Sequence, residues 1–168
     1  MTRGRQIVAL ALAVVVAVWV VRVWFPSDRQ LIERQLNTLA EAASVSGSET
    51  PMVRMAGAAR VAKCFTDDVI ISATDQSSTI GGRDAVMGLA AQARATSGPL
   101  KVSFDDVQIA VADSSTATAY MTVTISSTGA NGSTLVDARE LNVTFRKVAR
   151  GEWLIARVDA LHTLERPK

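Results

Sequence analysis

Leu141-Asn142-Val143-Thr144-Phe145-Arg146 and, past a turn at Arg150-Gly151, Trp153-Leu154-Ile155-Ala156-Arg157-Val158-Asp159-Ala160 decide how this chain folds. In the first stretch apolar and polar side chains alternate with period two, which places them on opposite faces of a β-sheet. The same period holds from Gly98-Pro99 onward, predicting strands over residues 101–112, 116–128, 134–148 and 152–162. Their turns allow the strands to be paired. A two-residue loop at Arg150-Gly151 sets Ala149 opposite Glu152, hence Phe145 opposite Ala156, Val143 opposite Val158 and Leu141 opposite Ala160. A three-residue loop Ala130-Asn131-Gly132 sets Ala119 against Val143, Met121 against Leu141 and Val123 against Arg139. Both registers gather the apolar side chains on one face.

The residues before this meander read as helices. Ser27 and Gln30 have capping-box spacing and open a helix with Leu31, Ile32, Leu36, Leu39 and Ala43 on one face. Ser44 to Glu49 reads as a loop. Thr50 as N-cap and Pro51 at the first helical position start a second helix that reaches Cys64. Val69-Ile70-Ile71 is a short strand and Ser77 to Gly82 a loop. A third helix follows, with Asp84 in its first turn, Arg94 in its last, and an apolar stripe of Val86, Leu89, Ala90 and Ala93. Helices first and an antiparallel meander after define an α+β domain, three helices on one face of a mostly antiparallel sheet.

This order resembles the cone-shaped fold of nuclear transport factor 2, shared by ketosteroid isomerases, scytalone dehydratase and the SnoaL-like polyketide cyclases. The resemblance is carried by Phe65-Thr66-Asp67-Asp68-Val69-Ile70-Ile71, Ile80-Gly81-Gly82-Arg83-Asp84-Ala85-Val86 and Gly151-Glu152-Trp153-Leu154-Ile155. It spans residues 28–164 and implies a strongly bent sheet around a cavity, frequent dimers and diverse functions. The tyrosine that steroid isomerases use on their first helix has no counterpart, since the chain's single tyrosine is Tyr120, on a strand. Their aspartate base falls at Ala73, with Asp75 two residues later, and their second acid falls at Leu141. The His-Asp pairing of the dehydratases and cyclases has only His162 to draw on.

The registers place the remaining polar groups. Arg139 lies opposite His162, and Asp137 is its same-face neighbour. Beside the resemblance, Asp137, Arg139 and His162 form a candidate rim for a ligand pocket walled by Met121, Val123, Leu141, Val143, Phe145 and Val158. The plainer reading is an exposed Asp137–Arg139 pair and a solvated histidine. Epoxide hydrolases of this fold use Asp, Arg and Asp, types also supplied by Arg157 and Asp159. The register puts those two on the opposite face unless a bulge returns them. Trp153, Ile155 and Leu161 fall on that outer face with Val148, either as a dimer or partner surface or under a terminus. Asp67-Asp68 and Asp105-Asp106 read as solvated turn and bulge residues, because adjacent side chains diverge. Cys64 reads as a small apolar core residue. No cofactor or metal is implied.

Residues 7–21 are an unbroken apolar run preceded by Arg3 and Arg5. As a helix they span about 22 Å, and about 28 Å through Phe25 if Arg22 turns back to the headgroups. Trp19, Trp24 and Phe25 suit an interfacial belt, and the two arginines favour a cytoplasmic N-terminus. Bulky residues 22–26 argue against signal-peptide cleavage. Residues 1–25 are therefore expected to be a cytoplasmic tip and single-pass anchor, and residues 26–168 one domain outside the cell membrane. Of 18 Lys and Arg, Arg3, Arg5 and Arg22 belong to the anchor, so 15 face 16 acidic residues in the domain, a net −1. That removes the electrostatic case for nucleic acid. Two functional classes follow: a membrane-tethered, non-catalytic module for a small apolar ligand or a protein partner, or a small pocket enzyme of isomerase, dehydratase or epoxide hydrolase type using Asp137, Arg139 and His162.

Overall fold

A computed structural model describes residues 26–72, 79–96, 98–128, 133–149 and 151–161. The expected anchor lies outside them. Among the described residues no helix is long and apolar enough to cross a membrane. Helix α1 (Asp28–Ala43) starts at the expected capping box: the Gln30 amide donates to Ser27 Oγ and the Ser27 amide to Gln30 Oε1. Helix α2 (Pro51–Ala62) is capped by Thr50, whose hydroxyl accepts from the Val53 amide. Strand β1 (Phe65–Ser72) is longer than Val69–Ile71, and β2 (Thr79–Gly81) occupies part of the expected loop, pairing with Ile70–Ser72. Helix α3 (Arg83–Thr96) precedes β3 (Leu100–Val111), β4 (Thr116–Thr128), β5 (Thr134–Lys147) and β6 (Trp153–Ala160).

The strands form one sheet in the order β2-β1-β6-β5-β4-β3, antiparallel except for β1 beside β6. The core lies between this sheet and the helices. Ile32, Leu36 and Leu39 of α1, Val61 of α2 and Val86 of α3 meet Ala117, Ala119 and Met121 of β4, Val143 and Phe145 of β5, and Trp153 and Ile155 of β6. The last buried residue of the α1 stripe is Ala42 rather than Ala43, which is half-buried, as is Leu31. On α3, Leu89 and Ala93 are exposed, departures from the expected stripe, and Val86 and Arg94 are its buried residues.

The β4–β5 register is the expected one throughout, from Thr116 opposite Arg146 to Thr128 opposite Thr134. The β5–β6 register holds from Leu141 opposite Ala160 to Thr144 opposite Arg157, then slips, so that Phe145 faces Ile155 and not Ala156. Ala156 is thus the extra residue of a bulge, which reverses the alternation on its far side. The turn takes up the slip. The Val148 amide donates to the Glu152 carbonyl and the Gly151 amide to the Val148 carbonyl, with Gly151 at a left-handed φ of 77°. The bulge corrects the expected outer face: Trp153 and Ile155 are buried in the core, and of that trio only Leu161 is exposed. A second register shift lies between Asp105 and Gln108, where Asp106 takes a positive φ. This agrees with reading that acidic pair as bulge residues.

Candidate functional site

The inward face of β4, β5 and β6 brings together the six residues expected to wall a pocket. Met121, Val143 and Phe145 are buried, Leu141 and Val158 are half-buried against them, and half-buried Val123 lies between Phe104 and Arg139. Farther along the same face Ile125 sits opposite Asp137. There β5 runs beyond its cover, and Leu135 and Val136, on opposite faces, are both exposed. This open end carries the polar pair. Arg139 Nε lies 3.3 Å from Asp137 Oδ2, with the two side chains 57% and 58% exposed. His162 lies outside the described residues, as do Ala73 and Asp75.

The interior itself is almost without polar chemistry. Among the described residues the buried polar or charged side chains are Thr66 and Arg94. Arg94 NH1 binds Glu49 at 2.7 and 2.8 Å, while NH2 reaches the carbonyls of Ala42 and Ser44. Every one of those contacts is structural. Arg94 is thus a buried, paired cation and not merely a charge at the end of α3. The signal was present, because Arg94 is four residues beyond Ala90 and eight beyond Val86, on the inward stripe.

The other polar groups face away from the pocket wall. Arg157 Nε pairs with Asp159 at 2.8 Å on the outer face, beside Thr144 and Asn142. The observed bulge at Ala156 turns Trp153 and Ile155 inward and leaves this pair outside, so the four-residue epoxide hydrolase grouping is not assembled. Tyr120 is exposed opposite Asn142, and a hydrogen bond to Glu140 pushes its phenol above the ordinary value. Asp67 and Asp68 are strand residues rather than turn residues, and separate arginines engage them, Arg83 NH1 at 2.7 Å and Arg146 NH1 at 2.9 Å. Among the described residues no cluster of three or more His, Cys, Asp or Glu could hold a metal ion. The Cys64 thiol is buried, pushed up to about 11 by desolvation, and points at the Arg60 carbonyl 3.6 Å away. It packs as a small core residue.

Three helices on one face of a mixed sheet, with an apolar inner surface open at one end, define the cone-fold class. The chain belongs to the SnoaL-like domain family, whose model matches residues 56–159. Among solved structures it is similar to an NTF2-like protein with a cystatin-like fold from Novosphingobium aromaticivorans. The two share 17% identity and a TM-score of 0.67 over 88% of this chain and 90% of the other. A ketosteroid isomerase-like protein from Erwinia carotovora atroseptica aligns with 18% identity and a TM-score of 0.58, covering 82% and 99%. A dehydratase candidate of the NTF2-like family from Streptomyces avermitilis aligns with 17% identity and a TM-score of 0.64, covering 82% and 97%. At such identities the likeness is one of fold. No curated protein matches the chain.

Proposed function

We propose that this protein is a membrane-tethered, non-catalytic cone-fold module that holds a small apolar ligand at the outer face of the membrane. The carrying observation is the chemistry of the inner wall. Beyond the packed core of Met121, Val143 and Phe145 the same face leaves Val123, Leu141 and Val158 half-buried, and the one charged side chain buried among the described residues, Arg94, is committed to Glu49 and two carbonyls. General acid–base catalysis needs a titratable group within hydrogen-bond reach of the reacting atom. Apolar recognition needs a concave apolar wall with a few polar groups at its edge. The Asp137–Arg139 pair, more than half exposed at the open end, supplies such an edge.

The tether rests on residues 7–25. Carbonate extraction of membranes should leave the full chain in the pellet and release residues 26–168; release of both would contradict the anchor. The enzyme reading assigns Asp137, Arg139 and His162 to catalysis, and Arg139→Ala separates the two. A module keeps its fold and its ligand, because the lost pair is exposed and worth less than about 1 kcal/mol. Abolished turnover of an isomerase- or dehydratase-type substrate, with fold intact, would instead favour the enzyme.

A further inference from the structure

Strand β5 has a bare edge in the middle of the sheet. Its residues 141–147 pair with β6, but β6 ends at Ala160, and among the described residues no strand lies beside residues 134–139 on that side. All six are exposed, Leu135 at 72% and Val136 at 59%. Successive residues of an antiparallel strand bond alternately to the two neighbours. Glu140 bonds the β6 side, its carbonyl accepting from the Leu161 amide at 2.9 Å, so the amides and carbonyls of Ala138 and Val136 also face that edge. Nothing among the described residues meets them. The two outer edges of the sheet, by contrast, are guarded as natural edges are. β2 is three residues long, and β3 carries Lys101, a bulge with Asp106 at positive φ, and the bridge from Val45 to Leu100. Residues 134–139 have no bulge toward β4, no proline and no lysine. They are built as an inner strand is, to be paired on both sides.

We propose that residues 162–167 of this same chain dock on that edge and carry β6 to the end of β5. They lie outside the described residues and follow Leu161 at the point where the bare edge begins. At about 3.4 Å each they span about 20 Å in extended form, the length of the edge. The observed register continues with His162 opposite Arg139, Leu164 opposite Asp137 and Arg166 opposite Leu135. The amides of Thr163 and Glu165 would donate to the carbonyls of Ala138 and Val136, and Pro167, with no amide hydrogen, would end the ladder. His162, Leu164 and Arg166 then share the concave face, with Arg166 diagonal to Asp137. The docked segment lengthens the pocket wall and sets His162 beside the Asp137–Arg139 rim. Being covalently joined at Leu161, it reaches the edge ahead of a separate chain. This docking requires neither the membrane tether nor the apolar ligand and stands or falls separately from them.

The test is amide hydrogen exchange, residue by residue, on the full chain in neutral detergent and on the chain ended at Leu161. The Val136 and Ala138 amides should exchange at least tenfold more slowly in the full chain, whereas those of Asp137 and Arg139, which bond β4, should change less. Equal exchange of Val136 and Ala138 in both chains would overturn the docking. If the shortened chain fails to fold, an engineered disulfide decides. Asp137→Cys with Leu164→Cys places two thiols directly opposite in a pair without backbone hydrogen bonds, where the Cβ atoms are closest. Mild oxidation should close that bond within one chain, and Asp137→Cys with Thr163→Cys, on opposite faces, should form at least tenfold less of it. A bond only between chains would mean that a second copy occupies the edge, and that result, like equal yields from the two pairs, would overturn the proposal.

Discussion

Arg94 carries a guanidinium into the interior, and its neighbours are arranged around it. Glu49 supplies the counter-charge, the end of α1 supplies carbonyls, and Gly57 supplies room: a Cβ there would overlap the guanidinium carbon. Removing one member of a buried charge pair leaves the other unsolvated. Arg94→Met should therefore destabilise the domain by about 3 kcal/mol or more, read as a lower denaturation midpoint with unchanged slope. Gly57→Ala should also destabilise, because the guanidinium it displaces is held by several hydrogen bonds. In the Arg94→Met background the same Gly57→Ala change should become neutral or stabilising, since alanine is favoured over glycine in a helix by about 1 kcal/mol. Additive effects would mean that Gly57 is small for another reason. In the sequence, Arg94 and Glu49 are 45 residues apart, and nothing local connects them. Their pairing exists only after α2 and α3 have packed, which is why it could not be read beforehand.

At the scale of elements, most of the fold was legible because most of it is set locally. The capping box at Ser27, the Thr50-Pro51 start of α2 and the β4–β5 register each depend on residues close in sequence, and each is where it was expected. The bulge at Ala156 was not legible. Ala149-Arg150-Gly151 can close a hairpin in two ways, and the burial of Trp153 decides between them only once the helices are in place. Inside, Trp153 contributes a fully buried ring whose Nε1 donates to Asp28 Oδ1 at 3.0 Å. Trp153→Ala should cost about 3–5 kcal/mol, whereas an outer-face tryptophan would cost well under 1. Deleting Ala156 should cost less, because it removes the extra residue itself: Trp153 and Ile155 stay inward and Arg157 and Asp159 outward in one continuous alternation, and a cooperative unfolding transition should persist.

Over the whole molecule, Asp28 joins the beginning of α1 to the turn end of the β5–β6 hairpin. Its Oδ1 accepts from Lys147 Nζ at 2.6 Å and from Trp153 Nε1, and these bonds hold its carboxyl below the usual value. A depressed acid stabilises the fold above its unfolded value, about pH 3.9, and the contribution fades as pH falls through the lower folded value. Asp28→Ala should cost about 1 kcal/mol at neutral pH, discounted for partial exposure, and the gap to wild type should close in acid. A gap that widened in acid would contradict the latch. With residues 7–25 as the proposed tether, which Asp28 follows almost at once, the same latch would fix which end of the domain lies nearest the bilayer. The open end bearing Asp137 and Arg139 is at the opposite end of β5 from Lys147. It would then face away from the membrane, and a ligand would enter from the aqueous side. Native mass spectrometry of the full chain in detergent tests the ligand-holding role most directly. A bound apolar molecule at one per domain is predicted, kept by Arg139→Ala and lost when Leu141→Trp fills the half-buried part of the wall. A chain that arrives at its bare mass, or a ligand indifferent to Leu141→Trp, would contradict it.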